Sequence, residues 1–127
     1  MLILVAHGSR DPLWRGSLQL LAERVGAQMP SEEVRVAFMQ FVGPTLPDVV
    51  EEAARSGQTV LRLLPLFMAT AGHVDKDIKP MVRELARAYP GVRLEMMTPV
   101  GEDDLFPRFI VDIAANPSTP GRTPRTP

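Results

Sequence analysis

The sequence predicts an α/β domain with a four-stranded parallel sheet in the order 2-1-3-4 and helices on both faces. Strand and helix patterns alternate as β-α-β-α-β-α-β-α, the arrangement that parallel sheets with right-handed crossovers require. The strand segments are residues 2–6, 34–39, 59–66 and 92–96. The first and third are apolar almost throughout, whereas the second and fourth alternate apolar and polar residues. Because a continuous apolar run is typical of a strand covered on both sides, the first and third strands should be central.

Each predicted helix has a start signal or an apolar face. Asp11 can cap the first helix and Pro12 suits its first turn, while Thr45 and Asp48 form a capping box for the second. The acidic residues 102–104 suit the first turn of the fourth. The faces expected to be buried are Leu18, Leu21 and Val25 in the first helix, Leu46, Val49, Val50 and Ala53 in the second, Ile78, Met81, Val82, Leu85, Ala86 and Tyr89 in the third, and Phe106, Phe109, Ile110 and Ile113 in the fourth.

Length and composition predict one cytoplasmic domain. A chain of 127 residues can bury about two thirds of its unfolded surface in a single core. Residues 1–115 should form that domain, and residues 116–127, rich in Pro, Thr, Gly, Ser and Arg, should be a disordered tail. Residues 1–6 are apolar, but they lack a basic leader and are too short to span a bilayer, which favours a buried strand in a cytoplasmic protein.

Charge and residue types exclude several classes of function. The net charge is −1 with acids and bases interspersed, so neither nucleic acid nor a membrane is an expected partner. Cysteine is absent, which excludes disulfides, thiolate zinc sites and thiol nucleophiles. Any metal must therefore bind nitrogen and oxygen ligands. No Gly-x-x-x-x-Gly-Lys stretch follows a predicted strand, which excludes a P-loop nucleotide enzyme.

The two histidines of the chain each follow a central strand. His7 comes directly after the first strand, and His73 ends the loop of small residues after the third. Sheets of this kind bind ligands beyond the carboxyl ends of the strands where the winding reverses, which here is between strands one and three. Two neutral imidazoles facing that crevice could hold a divalent ion in an open site. The alternative is that each histidine is an ordinary hydrogen-bonded residue near a strand end.

Further candidates lie close to the histidines in sequence. Ser9 and Arg10 lead into a helix N-terminus, where amides and a guanidinium favour a carboxylate or phosphate, although such residues are also common in turns. Asp77 lies one helical turn after His73 and could either orient its imidazole or cap the third helix. Residues 66–68 could form an apolar wall for a flat ligand or a subunit, or could pack in the core.

Five motifs, in one order over residues 1 to about 115, together resemble the short form of sirohydrochlorin cobaltochelatase. That family belongs to the class II chelatases, together with the sirohydrochlorin ferrochelatases and nickelochelatases. The motifs are Val5-Ala6-His7-Gly8-Ser9-Arg10-Asp11-Pro12, Pro44-Thr45-Leu46, Pro65-Leu66-Phe67, Gly72-His73-Val74 followed by Asp77-Ile78, and Pro99-Val100-Gly101-Glu102-Asp103.

The resemblance implies a chelatase-like fold and ATP-independent insertion of a divalent metal into sirohydrochlorin, on the route to cobalamin or sirohaem. The metal would be a substrate, Co²⁺ first and otherwise Fe²⁺ or Ni²⁺, and no organic cofactor would be needed. The family's metal-binding and catalytic histidines fall on His7 and His73. Ser9 and Arg10 would meet the tetrapyrrole carboxylates, and Lys76 or Lys79 would do the same or form a solvated helix face. The short form also implies a homodimer.

Gln40 departs from the family pattern, in which a glutamate often ends strand two as a further acid at the metal site. An amide can offer an oxygen to a metal, but it neither neutralises charge nor accepts a proton usefully. The alternative function is therefore a non-catalytic module that binds metal or tetrapyrrole. A phosphohistidine phosphatase that uses His7 and Arg10 is disfavoured, because Ala6 occupies the place where that chemistry needs an arginine.

Overall fold

The computed structural model describes residues 1–68 and 73–116, with residues 73–75 described through their backbone alone. In this part of the chain, strands and α-helices alternate as predicted. The strands are β1 (Leu2–Ala6), β2 (Val34–Phe38), β3 (Val60–Pro65) and β4 (Arg93–Met96), and the helices are α1 (Pro12–Gln28), α2 (Leu46–Arg55), α3 (His73–Ala88) and α4 (Leu105–Ala115). A short 3-10 turn, Val100–Glu102, precedes α4. The predicted loop at 69–72 and, apart from Asn116, the predicted tail lie outside the described residues.

The four strands form one parallel sheet in the order β2-β1-β3-β4, which confirms the predicted fold class. Leu4 of β1 pairs with Val36 on one side and with Leu64 on the other, and Leu63 pairs with Met96. All the strands run in one direction, so their carboxyl ends share one edge of the sheet. The winding reverses between β1 and β3, and the ligand crevice is expected there.

An apolar core covers each face of the sheet. On one face, α2 and α3 pack over alternate side chains of the central strands; on the other, α1 packs over the remaining ones. The first core contains Ile3, Val5, Ala37, Leu61 and Leu63 from the sheet, Leu46, Val49, Val50 and Ala53 from α2, and Ile78, Val82 and Leu85 from α3. The second contains Leu2, Leu4, Ala6, Val36 and Phe38 with Ala22 from α1.

Two predicted patterns of burial are wrong in part. Leu21 is 38% exposed, whereas Ala22 is buried. The face of α1 that meets the sheet therefore consists of Trp14, Leu18, Ala22 and Val25, which recur every three or four residues. The expectation that β2 is half covered fails at its carboxyl end, because Ala37 is buried between the two buried residues on either side of it.

The expected burial of the α4 face is also wrong. The helix forms, yet none of its residues is buried. Phe106 is half buried, and Phe109, Ile110 and Ile113 are exposed. The acids 102–104 precede the helix. The Asp103 carboxylate accepts a hydrogen bond from the Leu105 N–H at 2.8 Å, whereas the N-cap residue, Asp104, makes no capping bond with its side chain. In the described part of the chain, no helix is both long and apolar enough to cross a membrane.

Candidate functional site

A cleft of about 430 Å³ opens beyond the carboxyl ends of β1, β2 and β3. Its volume falls within the range of about 300–1,000 Å³ that is usual for small-molecule sites. The sheet side supplies residues that follow strand ends, and α3 supplies the opposite wall. The lining residues are His7, Met39, Gln40 and Phe67 from the sheet side, and Lys76, Asp77, Pro80 and Met81 from α3.

His7 is positioned by its backbone and by an aromatic neighbour. Its carbonyl accepts hydrogen bonds from the N–H groups of Met39 at 2.7 Å and Gln40 at 3.2 Å. Its ring centroid lies 4.4 Å from that of Phe67, with the planes tilted by 45°. His7 is nevertheless exposed. The imidazole is therefore packed on one side and open to a ligand on the other.

Gly8 allows the chain to leave β1 in close contact with the end of β2. Its φ of 145° is a conformation that residues with a side chain rarely adopt. A Cβ at this position would overlap the backbone carbonyl oxygen of Gln40. Gly8 therefore brings the backbones that carry His7 and Gln40 together at the edge of the cleft.

One face of α3 forms the opposite wall. Lys76 and Asp77 lie one turn before Pro80 and Met81, so helical spacing places the four on the same side of the helix. The alternative that Asp77 caps α3 is wrong, because the helix begins four residues earlier at His73. Lys76 lines the cleft, which makes it more than part of a solvated helix face.

His73 is the first residue of α3, not the last residue of the preceding loop. Its side chain lies outside the described residues. The position precedes Lys76 and Asp77 by three and four residues, so it belongs to the same helix face. The convergence of both imidazoles on one ion stays a prediction.

Ser9 and Arg10 line a different cavity, of about 230 Å³, beside the start of α1. Ser9 Oγ accepts a hydrogen bond from the Asp11 N–H at 3.1 Å, and Asp11 caps α1 by accepting from the Leu13 N–H at 2.9 Å. The Arg10 guanidinium lies 5.1 Å from the ring centroid of Phe41. The loop of residues 39–42 separates this cavity from the cleft, since its first two residues line the cleft and its last two line the cavity.

Apart from Phe67, sequence reasoning missed the apolar part of the cleft. Met39, Pro80 and Met81 all line it, and Met81 was expected to be a core residue. It is half buried and packs against the core as well. Of residues 66–68, Phe67 lines the cleft, Leu66 packs against the second core and Met68 is exposed. The spacing of Asp77, Pro80 and Met81 was the available signal, because any helix that places Asp77 in the cleft brings the other two with it.

The cleft offers one imidazole, one amide and one carboxylate, from His7, Gln40 and Asp77. Among the described side chains, no group of three or more His, Cys, Asp or Glu residues is placed to hold a metal ion. A structural zinc site would require such a closed set. A sparse set of nitrogen and oxygen donors is instead suited to a divalent ion that keeps open positions for a substrate.

The fold is shared with proteins of known structure. The structure resembles that of the CbiX protein from Marinobacter aquaeolei VT8, with a TM-score of 0.77, 32% sequence identity and coverage of 91% of both chains. This similarity defines the class as an α/β domain of the chelatase type. The CbiX family model matches residues 1–115. The chain therefore belongs to the CbiX family, which confirms the resemblance found in the sequence.

Curated relatives of the chain are sirohydrochlorin chelatases. The chain is 38% identical to the sirohydrochlorin cobaltochelatase of Methanopyrus kandleri over 80 residues, which are 63% of this chain and 56% of the relative. It is 27% identical to the sirohydrochlorin ferrochelatase of Bacillus subtilis over 103 residues, which are 81% of this chain and 40% of the relative. The chain spans about half the length of these curated relatives.

Proposed function

We propose that this protein inserts a divalent metal, Co²⁺ or Fe²⁺, into sirohydrochlorin without ATP, as a step in cobalamin or sirohaem biosynthesis. The observation that carries the proposal is the cleft, which combines His7, Gln40 and Asp77 at the carboxyl ends of the central strands. Membership of the CbiX family supports it, as do relatives named for cobalt and for iron insertion.

Metal insertion makes three demands that the cleft residues are suited to meet. The ion must lose part of its water, the macrocycle must be held, and a base must accept the two protons that leave the pyrrole nitrogens. The imidazole of His7 can act as a ligand to the ion or accept one of these protons, and the other can pass to solvent at the exposed side of His7. Asp77 supplies a carboxylate on the opposite wall, where it can offset the charge of the ion.

His73 is proposed as the second ligand to the ion. Its position on the α3 face that carries Lys76 and Asp77 supports this role, since those two residues line the cleft. A substrate metal should be bound by few protein ligands, because it must be released to the macrocycle. Two imidazoles with open positions satisfy that requirement.

The carboxylates of the tetrapyrrole are proposed to meet the cationic residues on either side of the 39–42 loop. Lys76 stands in the cleft, and Arg10 stands with Ser9 in the neighbouring cavity. A guanidinium and an ammonium are the side chains best suited to pair with carboxylates. A macrocycle seated in the cleft would thus extend toward Arg10 past Gln40.

The protein is further proposed to work in the cytoplasm as a homodimer. The Bacillus subtilis ferrochelatase is covered by this chain over 40% of its length, so two copies would match most of a chain of that size. The absence of cysteine is compatible with a reducing compartment.

The direct test is an anaerobic insertion assay with sirohydrochlorin and Co²⁺, Fe²⁺ or Ni²⁺ in turn, followed by the absorbance of the macrocycle. The wild-type protein should accelerate insertion of at least one ion above the uncatalysed rate. His7→Ala should reduce the rate to the uncatalysed level while its thermal unfolding stays cooperative. Gln28→Ala, at the far end of α1, is the control and should retain the wild-type rate. No acceleration by the wild-type protein with any of the three ions would refute the proposal.

The second candidate function, a binding module without catalysis, is favoured by Gln40. A glutamate at this position in the cleft would add a negative charge and a proton acceptor beside His7. Under the chelatase proposal, Gln40→Glu should raise an insertion rate that is already measurable. Under the alternative, the wild-type protein would bind Co²⁺ and sirohydrochlorin without accelerating insertion, and Gln40→Glu would create the activity.

A further inference from the structure

We propose that the main-chain carbonyl of Lys76 is a hydrogen-bond acceptor in the cleft, released from the helical hydrogen-bond pattern of α3 by Pro80. Its partner would be an N–H or O–H donor of the bound substrate, either a pyrrole N–H of the macrocycle or a water molecule on the metal ion. The inference deepens the proposed function and rests on it, since both require the cleft to bind these molecules. It adds a binding group that the side chains of the cleft do not supply.

Pro80 lies in the interior of α3, as the eighth of its sixteen residues. A proline has no N–H, so in a helix interior it cannot bond to the carbonyl four residues before it, and its ring crowds that carbonyl. Here that carbonyl belongs to Lys76. The other prolines of the described helices, Pro12, Pro47 and Pro107, lie within a first turn, where an N–H has no helical partner. Among the described helices, only α3 therefore loses an interior hydrogen bond to a proline.

The Lys76 carbonyl lies on the wall of the cleft. In an α-helix, the carbonyl oxygen of one residue points toward the N–H of the residue four positions later, so this oxygen lies between Lys76 and Pro80. Both residues line the cleft. In the described part of the chain, no group outside α3 donates a hydrogen bond to this oxygen. The helix side of the cleft therefore contains a carbonyl acceptor that a regular helix would use internally.

Core contacts hold α3 against the sheet on both sides of Pro80. Ile78 and Val82, two residues before and after it, are 2% and 9% exposed and pack in the first core. The missing hydrogen bond is therefore tolerated by a helix that tertiary contacts keep in place. A residue that breaks a local rule of helix formation at the wall of a cleft is typical of a functional site.

A bound substrate would make this carbonyl selective for hydrogen-bond donors. Solvent can bond to the oxygen while the cleft is open, but a macrocycle in the cleft displaces that solvent. A carbonyl left without a donor then costs free energy, so a ligand with an N–H or O–H at this position binds more tightly than one without. The sheet side of the cleft supplies the acceptors His7 and Gln40. The Lys76 carbonyl adds an acceptor on the helix side.

The first test is the carbonyl ¹³C resonance of Lys76 in the full chain without ligands, which triple-resonance NMR detects through the N–H of Asp77. The ¹³C resonance of a carbonyl moves downfield when it accepts a stronger hydrogen bond. Pro80→Ala restores the N–H at position 80 and should therefore move the Lys76 resonance downfield. An unmoved resonance would show that this carbonyl already has a donor in the wild-type protein, which would overturn the inference.

The second test adds each ligand separately to the wild-type protein. Metal-free sirohydrochlorin supplies pyrrole N–H donors, and Zn²⁺, which is diamagnetic, supplies bound water. A downfield shift of the Lys76 carbonyl with the first assigns the donor to the macrocycle, and a shift with the second assigns it to the ion. The Asp77 carbonyl is the control and should move much less, because Asp77 lines the same wall but has the N–H of Met81 as its helical donor. Saturation with both ligands and no shift at Lys76 would overturn the inference.

The third test compares stability with affinity in the same variant. Pro80→Ala should raise the midpoint of thermal unfolding by at least about 5 °C, because it restores an interior helical bond. It should also weaken binding of the ligand that shifts the Lys76 carbonyl by about three- to tenfold, measured by calorimetry. Higher stability with unchanged affinity would mean that the proline has no part in binding, and it would overturn the inference.

Two further variants separate the restored N–H from other effects of losing the proline. Pro80→Val also restores the N–H but keeps a larger side chain than alanine, so it should lose as much affinity as Pro80→Ala. A loss in Pro80→Ala alone would assign the effect to contact with the ring and overturn the inference. Pro107→Ala, in the first turn of α4, is the matched control and should retain wild-type affinity.

These measurements follow binding and not metal insertion, so their outcome is separate from that of the insertion assay. A ligand-dependent shift at Lys76 in a protein that inserts no metal would retain this inference and refute the proposed function. An active protein whose Lys76 resonance does not respond to either ligand would do the reverse.

Discussion

Gly8 is the residue on which the geometry beside His7 depends most directly. With φ of 145° and no room for a Cβ against the Gln40 carbonyl, the position tolerates only glycine. Any side chain there must move the 39–42 loop away from β1. Such a movement would change the cleft and its neighbouring cavity together, since this loop lines both.

Gly8→Ala is therefore expected to lower the free energy of unfolding by about 1–3 kcal/mol, the usual cost of a strained backbone conformation. Gly16→Ala is the matched control, because Gly16 is within α1 and a Cβ there meets nothing within 4 Å. That substitution should stabilise the protein by about 0.5–1 kcal/mol. Urea unfolding of the two variants measures both effects. Equal stability of the two would contradict the close approach of Gly8 to Gln40.

Residues that carry chemistry were easier to predict than residues that only shape the cleft. His7 stood out because it follows a buried strand, Asp77 because it lies one turn after His73, and Gln40 because it departs from the family pattern; all three line the cleft. Met39 and Pro80 did not stand out, because an apolar residue looks the same in sequence whether it faces a core or a ligand. Ser9 and Arg10 were placed correctly beside a helix start but belong to the neighbouring cavity.

At the scale of single elements, α2 was predicted fully because its signals are local. Thr45 Oγ1 accepts a hydrogen bond from the Asp48 N–H at 3.3 Å, and the Asp48 carboxylate accepts from the Thr45 N–H at 3.1 Å. The hydrogen bond from the Thr45 backbone N–H, followed by one from the Thr45 side chain, lowers the pKa of the Asp48 carboxyl below its ordinary value. In α1, by contrast, the sequence contains several leucines that could form the buried face. The small Ala22 is buried in place of Leu21, and no local rule identifies that choice.

α4 shows why an apolar face does not by itself predict burial within the same chain. The pattern that places Phe106, Phe109, Ile110 and Ile113 on one side was recognised, and the helix forms there. Its cover could not be predicted, because periodicity records that a face is apolar and not which molecule it contacts.

At the scale of the whole molecule, the strand order could be predicted because central strands, which are covered on both faces, are more continuously apolar than edge strands. The amino-terminal edge of the sheet, opposite the cleft, also contains an ion pair that the sequence did not reveal. Arg62 donates two hydrogen bonds to the Glu32 carboxylate, at 3.3 Å and 2.5 Å. The N-terminal ammonium lies 3.8 Å from the same carboxylate. This pair joins residues thirty positions apart in the sequence. Residue spacing does not predict contacts over such a separation.

This ion pair should make the free energy of unfolding depend on pH in the acid range. The hydrogen bond from Arg62, followed by the attraction of its charge and that of the N-terminus, holds the pKa of Glu32 below its ordinary value of 4.5. A lowered carboxyl pKa stabilises the fold above the pKa of the unfolded state, and the stabilisation is lost as the pH falls through the folded value. The Glu32 side chain is 21% exposed, so the contribution should be about 0.5–1 kcal/mol.

Glu32→Gln should therefore lower the free energy of unfolding at pH 7, and the difference from wild type should shrink as the pH falls below 4.5 and vanish below the lowered pKa of Glu32 in the folded state. Glu33→Gln, at an exposed neighbouring position, is the control and should lower the free energy of unfolding at pH 7 by less than Glu32→Gln does. Urea unfolding at several pH values gives both comparisons. A difference that grows toward acid pH would contradict the ion pair.

Whether His7 and His73 bind the same ion is tested most directly by a double-mutant cycle of Co²⁺ affinity, measured by calorimetry for the wild type, His7→Ala, His73→Ala and the double variant. If one ion is held by both imidazoles, each single variant should lose most of the affinity, and the double variant should bind about as weakly as either one. Losses that simply add, or a single variant with wild-type affinity, would show that the two histidines do not share an ion.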